Sequence, residues 1–267
     1  MIIDFHTHCF PDVLAPKALA FLQEKSGSIP TTEATVASNI KKMDECGIGL
    51  SVVCSIATNA RQLAKVNSFA IDVNDFSTRL AALGSAHPES EILEEELQRL
   101  LDHDIHGVKI HPEYGPYYID SPEWKRVFAL CQEMGLFVVT HAGYDFISPD
   151  RIAATPERLG RILDEFPDLT LVAAHLGGNR MWDEVERHLC GRKNLYFDTA
   201  LLAAEGAPQE RVLSVIRNHG TDRVLFGTDM PWSDPAAELS YLASLDLTRE
   251  EFRAITEENA LALLYRG

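Results

Sequence analysis

The sequence has few cysteines and places none of them in a paired motif. Cys9, Cys46, Cys54, Cys131 and Cys190 make an odd number, and no C-x-x-C spacing occurs among the 267 residues. Secreted domains that depend on disulfides carry a denser and even-numbered set. The sequence therefore argues against a disulfide framework and favours a reducing compartment.

Basic residues are also scarce. Lysine and arginine total 24 against 40 acidic residues, for a formal net charge of −16. Phosphate groups and anionic membranes attract basic surfaces, so neither nucleic acid nor a membrane is expected as a partner. The amino terminus carries Asp4 and no basic stretch, and no apolar run is long enough to span a bilayer. These absences predict a cytoplasmic protein. The expected partner is a small-molecule substrate, which can be anionic.

Phosphate-binding loops and flexible linkers are missing too. There is no G-x-x-x-x-G-K sequence, and the G-x-G at Gly47–Gly49 lacks a third glycine and precedes a strand instead of a helix. No segment is rich in proline, glycine or serine in the way that interdomain linkers are. We therefore expect one domain over residues 1–267.

What the sequence does contain is a series of short apolar runs, separated by segments with helical character. The runs are IIDFHTH, LSVVCS, LAALGSAH, GVKIHP, LFVVTHAG, LTLVAAHLGG, NLYFDTA and RVLFGTDMPW. Most begin about 25–30 residues apart, the length of one βα unit. This alternation predicts an α/β fold, a closed (β/α)8 barrel. The alternative is a doubly wound open sheet, which needs a glycine-rich first turn where this chain has HCFPDV.

Residues typical of helix starts lie between the runs. Ser121 and Thr155 each precede a proline, which predicts an N-cap followed by proline at the first helical position. The TREE segment at Thr248–Glu251 predicts a capping box.

Polar residues that bind metals stand at the ends of most of these runs, where barrel active sites lie. They are His6, His8, His111, His141, His175 and Asp229. Side chains alternate along a strand. In the first run, Ile2, Asp4, His6 and His8 therefore share one face. The same alternation places His141 with Phe137 and Val139 in the fifth run, and His175 with Leu171 and Ala173 in the sixth. In the eighth run it places Asp229 with Leu225 and Gly227. If each of these faces points inward, the polar ends converge at one mouth of the barrel.

The chemistry of these side chains fits a divalent metal ion. Imidazoles and carboxylates bind Zn²⁺ and similar ions, and a catalytic site leaves a position open for water, whose pKa falls from about 15.7 to about 7 on Zn²⁺. Each residue alone has another interpretation: His141 or His175 as a satisfied core histidine, and Asp229 as a turn residue before Pro231. The joint pattern favours a metal site, because core histidines have no reason to recur at so many strand ends.

Seven segments, in order along the chain, resemble the amidohydrolase superfamily: DFHTHCFPD, GVKIHP, VVTHAG, AAHLGG, FDTA, LFGTDMPW and ENALALL. They are most similar to the branch that includes aminocarboxymuconate semialdehyde decarboxylase. The resemblance implies a TIM barrel of the metal-dependent hydrolase type with one divalent ion, Zn²⁺ before Mn²⁺ or Fe²⁺. It implies His6, His8, His141 and Asp229 as metal ligands. His175 is implied as an acid/base residue beside the water on the metal, and as a ligand in relatives that hold two metals.

Lys109 and His111 stand at the end of the fourth run, and both are predicted to contact the substrate. In some relatives a carboxylated lysine at this place bridges two metals. Lys109 can instead pair with Asp4 or Asp198, or meet an anionic substrate. His111 can also contact a second metal, or cap the loop before Pro112.

The loops after the strands are expected to form the substrate pocket. Tyr114 follows the fourth run, Arg180 the sixth and Trp232 the eighth. Arg180 can hold a substrate carboxylate with two hydrogen bonds, or pair with Asp183 or Glu184 in the next helix. Tyr114 and Trp232 can contact the substrate or pack the rim of the barrel.

Together these features predict hydrolysis of a C–N or C–O bond in an amide, lactone or ester. A water on the metal, positioned by His175 and deprotonated with the help of Asp229, attacks the carbonyl carbon. The alternative on the same residues is a lyase that decarboxylates or hydrates an unsaturated or aromatic carboxylic acid, with Arg180 or Lys109 holding the carboxylate. Two further alternatives are a barrel that keeps metal for structure alone and a phosphate or sugar site without metal. A homodimer is one expected state, because dimers are common among similar barrels.

Overall fold

Eight parallel strands stand side by side in chain order. The computed structural model describes residues 1–265. The strands are β1 (Ile2–Thr7), β2 (Ile48–Cys54), β3 (Leu80–Ser85), β4 (Gly107–Ile110), β5 (Phe137–Thr140), β6 (Leu171–Ala173), β7 (Leu195–Asp198) and β8 (Val224–Leu225). Each of the eight apolar runs overlaps one of them, β2 beginning two residues before LSVVCS, and the predicted (β/α)8 barrel is confirmed.

Helices fill the intervals between the strands. They are α1 (Ala15–Ser26), α2 (Val36–Cys46), α3 (Leu63–Phe76), α4 (Leu93–Leu101), α5 (Pro122–Met134), α6 (Pro156–Glu165), α7 (Trp182–His188), α8 (Gln209–His219), α9 (Pro235–Ala243), α10 (Arg249–Arg253) and α11 (Asn259–Leu264). A π-helical turn, Ala254–Glu258, joins the last two. Within residues 1–265 no helix combines the length and the apolar character needed to cross a membrane. All five cysteines are unpaired, as expected.

Two of the three predicted helix starts form their caps. The Thr155 side chain accepts a hydrogen bond from the backbone N–H of Arg158, and Thr248 and Glu251 form the capping box at α10. Ser121 precedes α5 as predicted, but its side chain makes no cap bond and its hydroxyl is buried without a partner. Proline at the first helical position is enough to start α5.

The barrel closes where the chain after β8 meets β1. The Asp229 N–H donates to the carbonyl of His6 at 2.8 Å. A parallel bridge joins Thr7 to Met230. These bonds hold the backbone of Asp229 beside the histidine-bearing end of β1, although more than two hundred residues separate them in sequence.

A distinct apolar cluster fills the inside of the barrel. Its strand members are Ile3, Phe5, Leu50, Val52, Cys54, Leu83, Phe137, Val139, Val172 and Leu225, and Ala260 and Leu263 of α11 join it. The amino group of Met1 pairs with Glu257 at 3.0 Å, which places the turn before α11 at the amino end of β1. The carboxyl ends of the strands, with their polar residues, therefore form the open mouth.

Alternation predicts the inward faces of β5 and β8 correctly and that of β6 wrongly. Phe137, Val139 and Leu225 belong to the interior cluster, but in β6 the interior residue is Val172 instead of Leu171 or Ala173. His175 still lines the cavity at the mouth, because β6 ends at Ala173 and His175 has a φ of 57°, which breaks the alternation.

The predicted face of β1 is wrong for a related reason. The interior cluster takes Ile3 and Phe5 instead of Ile2 and Asp4. The register of β1 against β2 shifts between Asp4 and Thr7. We attribute the inward position of His6 to this irregularity, which strict alternation cannot represent.

Candidate metal centre

Two site residues occupy backbone conformations that side chains rarely adopt. His175 has a φ of 57° and Asp229 a φ of 66°. Left-handed conformations at residues other than glycine are uncommon and cluster at functional sites. The strand before Asp229 also needs a glycine, since a Cβ on Gly227 would lie 2.9 Å from the Cβ of His6. The local backbone is thus shaped around these side chains.

The hydrogen bonds of His6 and His8 fix which ring nitrogen carries the proton. His6 Nδ1 lies 2.8 Å from Asp198 Oδ2, and His8 Nδ1 lies 2.9 Å from the carbonyl oxygen of Cys54. A carboxylate and a carbonyl only accept hydrogen bonds, so both Nδ1 atoms donate. Burial, with Lys109 adding to it, lowers the pKa of His6 to about 4. Its Nε2 atom therefore carries the electron pair of the ring, which faces Lys109 Nζ at 2.9 Å.

These Nε2 atoms face a third electron-pair donor. Asp229 Oδ1 lies 2.9 Å from His8 Nε2 and 3.3 Å from His6 Nε2. Burial raises the pKa of Asp229, but the combined effect of His6 and His8 is larger and opposite. The pKa therefore lies well below its usual value, and the group is a carboxylate. In neutral rings these Nε2 atoms turn electron pairs towards the carboxylate, so the short contacts require a positive charge: a proton on a ring, the Lys109 ammonium or a bound cation. Two imidazoles and a carboxylate within 4.8 Å of one another fit a divalent metal ion.

His141 and His175 form a second couple beside this cluster. His175 Nδ1 lies 3.2 Å from the carbonyl oxygen of Ala200, so it donates there and His175 Nε2 accepts from His141 Nδ1 at 3.0 Å. The other nitrogen of His141, Nε2, then carries an electron pair; it is buried without a hydrogen bond and lies 4.0 Å from Asp145 Oδ2. Burial, with His111 and His175, holds the pKa of His141 well below its usual value.

The structure therefore gathers three of the four predicted ligands closely. The rings of His6 and His175 are centred 5.4 Å apart, and those of His175 and His141 4.8 Å apart. His141 stands one ring away from the cluster, with an unpartnered nitrogen of the kind that ligates metals. Its role as the fourth ligand stays a prediction.

Lys109 lies inside the barrel and contacts the same cluster. Its side chain is buried, and Nζ donates to His6 Nε2 at 2.9 Å. It makes no ion pair with Asp4 or Asp198, the partners considered from the sequence. Asp4 instead accepts from the hydroxyl and the backbone N–H of Thr228, and burial raises its pKa to about 8. The ammonium of Lys109 thus occupies the place where a cation is required.

Comparison with known proteins gives the family. The amidohydrolase family model matches residues 3–266. The chain belongs to the amidohydrolase family. A comparison with curated proteins gave no match.

Solved structures with the same fold have sequences that are distant from that of this chain. An uncharacterized TIM-barrel protein from Bordetella bronchiseptica is 22% identical over 98% of each chain, with a TM-score of 0.77. A 5-carboxyvanillate decarboxylase from Sphingomonas paucimobilis is 15% identical over 98% of each chain, with a TM-score of 0.74. A dihydroxybenzoic acid decarboxylase from Polaromonas sp. JS666, with bound manganese and an inhibitor, is 14% identical over 98% of this chain and 96% of its own, with a TM-score of 0.70.

The candidate site opens into a cavity of about 950 Å³ with mostly apolar walls. Of the predicted substrate-binding residues, Lys109, His111, Tyr114 and Trp232 line it. Arg180 does not. Its Nε donates to Glu205 Oε2 at 2.5 Å, and its guanidinium lies 4.4 Å from the ring centre of Tyr144. Contact between Arg180 and a substrate stays a prediction without support from this arrangement.

His111 belongs to an arrangement that sequence reasoning missed. Its Nε2 lies 3.1 Å from Asp145 Oδ2, and its ring stacks between those of Tyr114 and His141. Burial raises the pKa of Asp145, but His111, His141 and the backbone N–H of Ile147 together lower it below its usual value, so the group is a carboxylate that is hydrogen-bonded to His111. No motif marks Asp145, which lies in a loop. The arrangement fixes the ring of His111 against the cavity wall.

Asp198 is the other functional residue without an assigned role in the sequence analysis. It ends β7, and its carboxylate accepts from His6 Nδ1. A signal existed: Asp198 stands at the carboxyl end of a strand, as Asp229 does. The rule that gave the predicted ligands would also have given Asp198, which orients one of them.

Proposed function

We propose that this member of the amidohydrolase family is a metal-dependent lyase. It removes CO2 from an aromatic or unsaturated carboxylic acid without an oxidant. The observation that carries the proposal is the facing set of electron pairs on His6, His8 and Asp229 at the base of a mostly apolar cavity. Apolar walls leave a carboxylate poorly solvated, which favours its conversion to neutral CO2. Two of the similar solved structures are decarboxylases by name, which supports this reaction class.

The residues present set the choice of metal. His6, His8 and Asp229, with His141 as the predicted fourth ligand, would hold a divalent ion, and that ion would supply the positive charge that binds and orients an anionic substrate. Two imidazoles and a carboxylate suit Zn²⁺, and Mn²⁺ is recorded in one similar decarboxylase. One ion is sufficient, because a shared proton accounts for the 3.0 Å contact between His141 and His175.

His175 is the proposed proton donor. Decarboxylation converts R–COO⁻ and H⁺ into R–H and CO2: the carbon–carbon bond breaks, and its electron pair on the substrate carbon takes a proton. His175 lines the cavity, and its Nδ1 is held by the carbonyl of Ala200, so Nε2 is the atom that gains and loses the proton. His141 Nδ1 lies next to it and can restore the proton, which solvent replaces.

Hydrolysis of an amide, lactone or ester is the second candidate, and Asp229 favours it. Burial raises the pKa of this carboxyl, but His6 and His8 lower it further. An ionised carboxylate in the cluster can take a proton from an attacking water. The two candidates therefore differ in the substrate, while they share the residues.

Isotope labelling separates the two reactions. Protein loaded with Zn²⁺ or Mn²⁺ is incubated in water enriched in heavy oxygen, first with aromatic and unsaturated acids labelled at the carboxyl carbon, then with lactones, esters and cyclic amides. The proposal predicts labelled CO2 and, in heavy water, one deuterium on the product carbon. If heavy oxygen entered a ring-opened product and no acid released CO2, the result would contradict decarboxylation and support hydrolysis.

A matched pair of histidine variants accompanies this experiment. His175→Gln is expected to lose activity, because it removes the proton donor. His103→Gln changes an exposed histidine just after α4 and is expected to keep wild-type activity. Full activity in His175→Gln would remove this residue from the proposal.

A further inference from the structure

Helix α1 is unusual because its apolar face is not packed into the core. Of its residues only Ala15 is buried. Leu14, Ala18, Phe21 and Leu22 follow helical spacing, so they lie on one side, and all four line the cavity of the metal centre. The cavity, and not another element of the protein, thus meets the apolar face of this helix.

A second part of the cavity wall is also apolar. Val66 and Phe69 of α3 are three residues apart, which places them on the same side of that helix, and both line the cavity. Phe146 and Ile147, from the loop after β5, line it as well. We call the space lined by these side chains and α1 the apolar arm. It belongs to the same cavity as His6 and His8.

Most charged residues of the cavity have partners. Lys109 donates to His6, and Asp145 pairs with His111. The Glu113 carboxylate accepts from backbone N–H groups of the loop between β5 and α6. Lys65, next to Val66 on α3, is an exposed cation that also lines the cavity. The side chains that define the apolar arm are themselves uncharged, and they match a ligand portion that is uncharged.

The volume of the cavity exceeds the needs of a small acid. At about 950 Å³ it lies near the upper end of the roughly 300–1,000 Å³ range of pockets for drug-sized ligands. We infer that the substrate carries an extended apolar portion, larger than a single ring, which lies against α1 and α3 while its carboxylate reaches the cation that His6, His8 and Asp229 would hold. This deepens the proposed function and rests on it for the reacting end only.

Chain-length dependence of binding tests the apolar arm. Isothermal titration calorimetry of the metal-loaded protein uses straight-chain alkanoates from butanoate to decanoate, and the corresponding alkan-1-ols. We expect the affinity in both series to rise about fourfold for each added methylene that becomes buried. The alcohols lack a carboxylate, so their series reports on the arm even if no decarboxylation is found.

Two phenylalanines provide a matched comparison. Phe21 on α1 is 55% exposed and lines the cavity, whereas Phe76 at the end of α3 is 66% exposed and does not line it. Phe21→Ser is expected to reduce the chain-length dependence in both series, and Phe76→Ser to leave it unchanged. Both side chains are exposed, so neither substitution removes a core residue.

Three results would overturn the inference. The first is equal affinity for butanoate and decanoate. The second is a chain-length dependence that Phe21→Ser leaves intact. The third comes from sedimentation velocity: a wild-type dimer that Phe21→Ser converts to monomer, with no chain-length dependence, would show that a second copy of the chain covers α1. If no acid releases CO2 but the chain-length dependence is found, only the proposed function is contradicted.

Discussion

Asp198 connects two parts of the candidate site through one carboxylate. Its Oδ2 accepts from His6 Nδ1, while its Oδ1 accepts from the backbone N–H groups of His175 at 2.9 Å and Ala200 at 3.1 Å. Burial raises the pKa of Asp198, but His6 and His175 together have a larger and opposite effect. The pKa falls from 3.8 to about 2. The ionised group keeps His6 in the tautomer that presents Nε2 to a metal.

Asp198→Asn tests that orienting role. We expect the affinity for the metal to fall about 10- to 100-fold, because His6 loses the carboxylate that fixes its ring and makes it a better donor. Competition with a chelating dye measures the dissociation constant directly, without a substrate. Asp164→Asn is the control, since Asp164 is an exposed residue that pairs with Arg192. Equal affinity in both variants would show that Asp198 has only a structural role.

At the residue scale, the sequence predicts the position of a side chain well when that residue lies at or just after the end of a strand. His6, His8 and Asp229 follow that rule, and the structure brings them together. Arg180 does not. It lies beyond β6 in a left-handed turn with a φ of 61°, and its direction depends on Glu205 and Tyr144, which no local pattern connects to it.

At the scale of elements, the loop between β5 and α6 is held by Glu113. This residue lies in the short 3₁₀ turn after β4, and its carboxylate accepts from the N–H groups of Ala153 at 2.6 Å and Ala154 at 3.1 Å. The same loop carries Asp145, the partner of His111. Glu113 therefore helps to fix the cavity wall from outside the metal cluster.

Glu113 makes the stability of the protein depend on pH. Burial raises its pKa from 4.5 to about 7, although the amides of Ala153 and Ala154 act in the opposite direction. Between these values the folded state binds more protons than the unfolded state, so this contribution is present below pH 4.5 and is lost as the pH rises to about 7. At roughly 1.4 kcal/mol per pKa unit, the loss is at most about 3 kcal/mol.

Urea unfolding at acid and neutral pH measures this effect. Glu113→Gln cannot ionise, so its free energy of unfolding is expected to fall less than that of the wild type over the same interval. Glu133→Gln replaces an exposed glutamate of α5 and is expected to follow the wild type. Parallel pH profiles for Glu113→Gln and the wild type would contradict the prediction.

The order and number of strands are predictable because each strand has its own apolar run and local turn signals. The Thr248–Glu251 capping box is equally local and forms as predicted. The faces of β1 and β6 are not predictable in this way. A register shift between Asp4 and Thr7 and a left-handed His175 depend on neighbouring strands, which the sequence of one strand does not specify.

At the scale of the whole molecule, closure of the barrel and binding of a metal are linked. The backbone bond from Asp229 to His6 closes the ring of strands, and the side chains of the same residues face each other with electron pairs. In the unfolded chain these groups are far apart and cannot bind one ion together. A metal that binds the folded state alone must therefore stabilise it.

Removal of metal by a chelator should consequently lower the melting temperature. At a free concentration one hundred times the dissociation constant, binding to the folded state contributes about 2.7 kcal/mol, and about 2–4 °C per kcal/mol is typical of chains near this size. We expect restoration of Zn²⁺ or Mn²⁺ to raise the melting temperature by about 5–10 °C in differential scanning calorimetry.

The acidic surface requires a control for this measurement. With a net charge of −16, the protein can bind divalent ions weakly at many surface sites. Asp229→Asn removes a charged member of the cluster and leaves that surface almost unchanged, so its melting temperature should respond little to the metal. If the metal raised the melting temperature of the wild type and of Asp229→Asn equally, the stabilisation would come from the surface, and the cluster of His6, His8 and Asp229 would lose its role as the metal centre.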